Sequence, residues 1–285
     1  MTNSDLLIDA ATLQASLDAP DLRIFDCAVH LVPAAQGYRA ESGLANYQEA
    51  HIPGAAFLDL IQAYSDTSTG LGFSLPGVDD LAAAASASGI SNDNRVVLYS
   101  SGHMMWATRA WWLLRYLGHD NVLVLNGGLA GWQAAGHPTT TGEESYPEGR
   151  MDPSPRPEMF VDLAGMEAAG VAGACTVNAL SSDLYTGSGD FHYGRPGHIP
   201  GSLHLHYEDL MDGQHFRPVE AMREVLEGRG VLSAERVVTY CGGGIAATVD
   251  GFACHLSGQP NVAVYDGSMS EWVRSGKPLT VGEAP

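Results

Sequence analysis

The sequence predicts an α/β protein of two tandem domains, each a mostly parallel sheet flanked by helices. Two observations carry that prediction. Short apolar, β-branched runs alternate with helical patterns, the signature of parallel strands covered on both faces. The chain also repeats itself. His51-Ile52-Pro53-Gly54-Ala55 returns as His198-Ile199-Pro200-Gly201-Ser202, an offset of 147 positions. Val96-Val97-Leu98-Tyr99-Ser100 returns as Val237-Val238-Thr239-Tyr240-Cys241, offset by 141. The run from Val122 to Gly128, followed by Trp132, returns from Val262 to Ser268, followed by Trp272, offset by 140. Three blocks in one order at a nearly constant shift mark a duplicated domain. The 285 residues divide into two units of ordinary domain size.

Taken in order, residues 12–19 predict a short helix and 22–26 a strand. Positions 96–99 and 122–125 predict further buried strands, with a helix holding Trp111 and Trp112 between them. In the second half the matching strands fall at 176–179, 237–240 and 262–265. The stretch 141–157 is rich in Gly, Glu and Pro, follows Thr139 and Thr140, and has no apolar period. It predicts a linker between a first domain at 1–140 and a second at 158–285.

Composition narrows the partners. With 14 basic and 33 acidic residues the net charge is −19, which argues against nucleic acid or an anionic membrane as partner. A hydrophobic content of 45% is ample for two buried cores. The opening Met1-Thr2-Asn3-Ser4-Asp5 lacks a basic and apolar leader pattern, so no secretory signal or membrane span is expected. Cys27, Cys175, Cys241 and Cys254 are far apart, with no CxxC, which fits a reduced, cytoplasmic setting.

The chemistry concentrates at Cys241. A buried strand ends in this cysteine, Gly242-Gly243-Gly244 follow, and Ile245-Ala246-Ala247 open a helical pattern. Glycines allow a tight loop whose backbone N–H groups converge, and a helix start adds the positive end of its dipole. Both favour an anionic sulfur, so Cys241 reads as a nucleophile with a built-in anion site formed by residues 242–247. The other three cysteines read as core fillers, Cys254 along the helix that follows the loop. Ser100 holds the matching place in the first half, with one glycine after it rather than three, and offers a hydroxyl in place of the thiol. A cysteine phosphatase would need an arginine at the loop's end to grip phosphate. Ala246, Ala247 and Thr248 stand there, and no arginine follows before Arg274. His51 and His198 sit in matching turns, which points to a shared structural role. His204 and His206 alternate along a predicted strand, without the third ligand a metal centre requires.

The paired His-Ile-Pro-Gly blocks, the strand-Cys-Gly loop and the Asp266-Gly267-Ser268…Trp272 tail resemble a tandem-domain rhodanese-like sulfurtransferase, of the thiosulfate and 3-mercaptopyruvate type. The resemblance runs from about Ile24 to about Pro278 and includes the helix around Arg109-Ala110-Trp111-Trp112. It implies two α/β modules with an active cleft between them, of which only the second carries the reactive cysteine. It also implies sulfane sulfur transfer from a small anionic donor, through a Cys241 persulfide, to cyanide or a thiol acceptor, a small thiol or a thioredoxin-like protein. No cofactor or metal is expected. The resemblance brings the segment of Arg195 toward the loop, where Arg195 would supply the positive charge that the loop lacks. The uncharged loop is closer to mercaptopyruvate-using members than to thiosulfate-using ones. Polar groups common in the former are replaced here by Ile61, Phe73, Leu184, Gly243 and Ala246. The rival reading is a non-catalytic rhodanese-like binding or regulatory protein. An intact glycine nest around a cysteine speaks for the enzyme.

Overall fold

The computed structural model describes residues 6–34 and 37–285. Met1 to Asp5, read above for a leader, lie outside the described residues. Two five-stranded sheets, parallel in every pairing, form the two halves. Across the first sheet the strands run Leu7–Ile8, Val122–Leu125, Arg95–Tyr99, Leu22–Asp26 and Ala55–Phe57. Across the second they run Phe160–Val161, Val262–Tyr265, Val237–Tyr240, Cys175–Asn178 and Leu203–His204. The permutation is the same in both. Each central strand is buried on both faces, which is why Arg95–Tyr99 and Val237–Tyr240 read as unbroken apolar runs rather than alternating ones.

The repeated blocks hold repeated contacts. His51 stacks on Tyr47 and His198 on Tyr185, each sharing its Nδ1 with that tyrosine's carbonyl oxygen. Trp132 and Trp272 each donate Nε1–H to a proline carbonyl, Pro138 and Pro278, at 2.8 Å. The two histidines are therefore turn-fixing groups in the core.

The first helix differs from expectation. It spans Ala10–Gln14, because the Asp9 side chain accepts from Thr12 N and sets the start earlier. After Gln14 the chain closes in single turns, Ser16 N to Leu13 O and Ala19 N to Ser16 O. His204 lies on a strand of two residues, whereas His206 precedes the 3-10 turn Tyr207–Leu210, so the two do not share a strand face. Residues 141–157 are tied down rather than hanging free. Gly142 N bonds Gln48 O, Gly149 N bonds Ser86 O and Ser154 N bonds Leu117 O, each at 2.8 Å.

Helices Met105–Tyr116 and Ala247–Leu256 pack against each other and join the halves. Trp112 Nε1 donates to Thr248 O at 3.1 Å, and the Trp111 and Phe252 rings meet edge to face at 4.9 Å. The larger hydrophobic core runs through both halves without a break, and a smaller one lies within the first half. The halves also exchange loops. Asn126 of the first accepts from Phe216 N, and Asp266 of the second, 140 positions on, accepts from Leu75 N. Among the described residues no helix is long and apolar enough to cross a membrane.

Candidate active site

Cys241 follows directly on the central strand Val237–Tyr240, at the carboxyl edge of the second sheet and ahead of helix Ala247–Leu256. Ligand sites of open parallel sheets collect at this edge. The loop carbonyls turn away and are held. Cys241 O accepts from Met269 N at 3.0 Å, and Gly242 O from Ser270 N and Oγ at 2.9 and 2.7 Å. Gly244 O accepts from the Arg109 guanidinium at 3.3 Å. Among the described residues, none of the N–H groups from Gly242 to Ala247 has a protein acceptor, and Ala246 offers no side-chain cap. Six consecutive amide donors without protein acceptors, in the loop after Cys241, are an arrangement suited to receiving an anion. Cys241 is free and only 3% exposed.

Two of the glycines are fixed by their neighbours. A Cβ on Gly242 would stand 2.0 Å from the Tyr193 hydroxyl oxygen. Gly244 has φ of +75°, and its Cβ would lie 2.5 Å from Asp266 O. Gly243 meets nothing closer than Gly72 O at 3.9 Å.

The pocket over Cys241 has a volume of about 310 Å³ and is lined from both halves. Phe73, Trp106 and Tyr38 face it from the first half, Phe191, Tyr193 and Leu180 from the second. None of its lining residues is charged. The rings brace one another, Tyr38 with Phe191 at 6.1 Å, Phe191 with Tyr193 at 5.2 Å and Phe73 with Trp106 at 5.1 Å.

Of the residues singled out in the sequence, Cys241, Gly242, Gly243, Ile245 and Ala246 line this pocket. Gly244 and Ala247 lie just behind, in the turn and at the helix start. Arg195 does not join them. It is exposed, and its guanidinium donates to Lys277 O, which holds the charge on the outer side of the segment. Two residues earlier, Tyr193 turns inward and covers Gly242.

The positive charge next to the loop belongs to Arg109 of the first half, buried to 1% exposure. It pairs with Asp266 at 2.8 Å while bonding Gly244 O and Phe73 O. Arg109 is hard to recognise from sequence because it sits among the tryptophans of a core helix, where a charge has no visible partner. The visible signal was the charge itself, an arginine inside the apolar run of Met105–Tyr116. Phe73 carries a second signal only the structure reveals, a left-handed φ of 61°. Among the described residues no three His, Cys, Asp or Glu side chains gather as a metal site would require.

The first half's equivalent loop is closed. Ser100 Oγ accepts from Gly102 N at 3.0 Å, and Met104 N donates to Gln214 of the second half. Tyr207 stacks edge-on against His103, so the second half sits where a substrate would enter.

Comparison with known proteins agrees with this architecture. The rhodanese-like domain model matches twice, at residues 9–135 and 188–275. The chain is 36% identical to a protein named Probable 3-mercaptopyruvate sulfurtransferase from Pseudomonas aeruginosa, over 99% of this chain and 100% of that one. It is 31% identical to the thiosulfate sulfurtransferase of Cricetulus griseus, over 95% and 91%. Its fold is similar to the crystal structure of SseA, a 3-mercaptopyruvate sulfotransferase from Escherichia coli, with a TM-score of 0.82 and 30% identity over 94% of this chain and 99% of that one. The chain belongs to the rhodanese-like family, as an enzyme of its two-domain sulfurtransferase class.

Proposed function

We propose that the protein takes a sulfur atom from a small anionic donor, 3-mercaptopyruvate in preference to thiosulfate, and passes it as the sulfane sulfur of a Cys241 persulfide to a thiol or cyanide. The observation that carries this reading is the run of six unpartnered amide N–H groups around a free, pocket-lining cysteine. In the first step the Cys241 thiolate attacks the sulfur of the substrate's thiol. A sulfur–sulfur bond forms and the carbon–sulfur bond breaks, its electron pair passing to carbon as the enolate of pyruvate. The proton of the substrate thiol ends on that carbon, leaving pyruvate and a Cys241 persulfide anion held by the amides. An acceptor thiolate then takes the outer sulfur, and the Cys241 thiolate returns. With thiosulfate the leaving group is sulfite. An uncharged pocket favours the substrate that carries less charge at the transferred sulfur, which supports mercaptopyruvate over the thiosulfate dianion.

Within this reading, 158–285 is the working domain, 1–140 supplies one wall of the pocket, and 141–157 connects them. Four unpaired cysteines support a cytoplasmic setting, where a small thiol or a thioredoxin-like protein would serve as acceptor. Intact mass after incubation with mercaptopyruvate tests the proposal. A gain of one sulfur atom, reversed by reductant and absent in Cys241→Ser, is the expected result. Turnover that survives Cys241→Ser, or no sulfur gain from any donor, would instead favour a non-catalytic binding module.

A further inference from the structure

The pocket contains no side chain that could ordinarily serve as acid or cation toward the substrate. No Asp, Glu, His, Lys or Arg lines it. The guanidiniums of the neighbouring segments are engaged: Arg39 with Glu41, Arg109 with Asp266, Arg195 with Lys277 O and Arg274 with Gly70 O. Three hydroxyls remain, those of Tyr38, Tyr193 and Ser270. Ser270 Oγ is committed to Gly242 O. Tyr38 stands at the rim, 62% exposed. Tyr193 alone reaches the floor, its hydroxyl oxygen 2.0 Å from where a Cβ of Gly242 would be, and among the described residues it has no hydrogen-bond partner. A hydroxyl next to the residue after the nucleophile, facing the cavity and not committed to a protein acceptor, is free to donate to a ligand bound there.

We infer that Tyr193 is a catalytic hydrogen-bond donor, whose hydroxyl holds the oxygen of the pyruvate enolate as the carbon–sulfur bond breaks. This rests on reading Cys241 as the sulfur carrier. The leaving enolate puts negative charge on an oxygen that the loop amides, gathered at the sulfur, do not have to share. Tyr193 is not consumed: it keeps its proton, and the carbon receives the proton of the substrate thiol. Burial, and the neighbouring Cys241 sulfur, push the phenol up from its ordinary value, so it stays a donor throughout the neutral range. The glycine at 242 follows from the same geometry, since any side chain there would displace this hydroxyl.

The test is Tyr193→Phe, which keeps the ring and its contact with Phe191, assayed in the full chain. Removing one donor to a developing oxyanion costs roughly 10²- to 10³-fold in the chemical step. Single-turnover pyruvate release from 3-mercaptopyruvate should fall by at least tenfold, while iodoacetamide, a neutral reagent without an enolate leaving group, alkylates Cys241 within threefold of the wild-type rate. Equal losses in both reactions would make Tyr193 a structural prop and overturn the inference. So would pyruvate release at the wild-type rate. A wild-type protein that gains sulfur from thiosulfate but releases no pyruvate from mercaptopyruvate would also overturn it, leaving the Cys241 reading in place. Absence of sulfur gain from every donor would remove both.

Discussion

Thr108 and Thr248 are 140 positions apart in the sequence and 2.7 Å apart in the structure, hydroxyl to hydroxyl. Each also reaches a carbonyl three residues back, Met105 O at 3.0 Å and Ile245 O at 2.6 Å. One hydroxyl can donate across the interface while the other donates to its own helix, and the roles can exchange. The two halves therefore meet through equivalent residues, as the subunits of a two-fold dimer do. That symmetry is broken at the Cys241 loop. Arg109 of helix Met105–Tyr116 has Val249 as its counterpart, so the Cys241 loop receives a guanidinium at its back and its first-half equivalent gets none from this position.

The three loop glycines should respond differently to substitution. Gly242→Ala and Gly244→Ala are expected to lose sulfur transfer, the first by pushing Tyr193 off the loop and the second by forcing a side chain into a left-handed residue against Asp266 O. Gly243→Ser has open space and should keep activity within a few-fold. Steady-state assays beside thermal unfolding check the order, and a dead but folded Gly243→Ser would contradict it.

Arg109 and Arg195 separate a buried charge from a surface one. Breaking a buried pair by removing one partner costs about 3–5 kcal/mol, so Arg109→Leu should unfold at much lower denaturant and lose activity. Arg109→Leu combined with Asp266→Asn should recover part of that loss. Arg195→Ala should leave the KM for anionic substrates within twofold, because its guanidinium binds Lys277 O outside the pocket. A steep rise in KM would return Arg195 to the site.

Asp26 provides a pH signature. Burial raises its carboxyl to about 6, against the bonds from Ser101 N and Ala28 N that favour the anion. A carboxyl raised in the folded state costs no stability below the unfolded value near 3.9. The cost grows as pH rises between the two values and is fully present above about 6. Asn178, which lies against Tyr240 as Asp26 lies against Tyr99, performs the same turn bond to Leu180 N without a charge. Asp26→Asn should therefore match the wild type near pH 4 and exceed it at pH 8 by roughly 1–3 kcal/mol in chemical denaturation. A gain that does not vary with pH would exclude this cause.

Much of this architecture was legible beforehand. The strands at 22–26, 122–125, 237–240 and 262–265 stand where the apolar runs put them, because parallel strands buried on both faces leave little ambiguity in pattern. The strand-loop-helix order around Cys241 was legible because a β-branched run, three glycines and a small-residue helical pattern follow one another there. Tyr193 and Phe191 were not, since an aromatic in a loop without period carries no mark of the cavity it faces. Arg195 misled for a related reason. Proximity in sequence to the right segment says nothing about which side of that segment a long chain takes.

Its place on the pocket should set Cys241 apart from two of the other thiols. Burial drives Cys27 and Cys254 well up from the ordinary thiol range, each further raised by a nearby aspartate, Asp26 and Asp250. In the native protein a brief pulse of iodoacetamide should label Cys241 and spare both, as read by peptide mass. Label on Cys27 or Cys254 before unfolding would mean that the core opens far more readily than its packing implies.

The continuous core also governs how the chain can be made. A ribosome that has released the first half has exposed Trp111, Trp112 and the face of their helix, whose cover is Phe252 and its neighbours, still to be synthesised. At about 5–20 residues per second the delay is on the order of ten seconds. Throughout it the nascent chain displays an aromatic surface, one that chaperones or a second nascent copy could occupy. Cutting the gene between the halves would make that interval permanent. Each fragment would then have to find its complement from solution instead of from the same polypeptide.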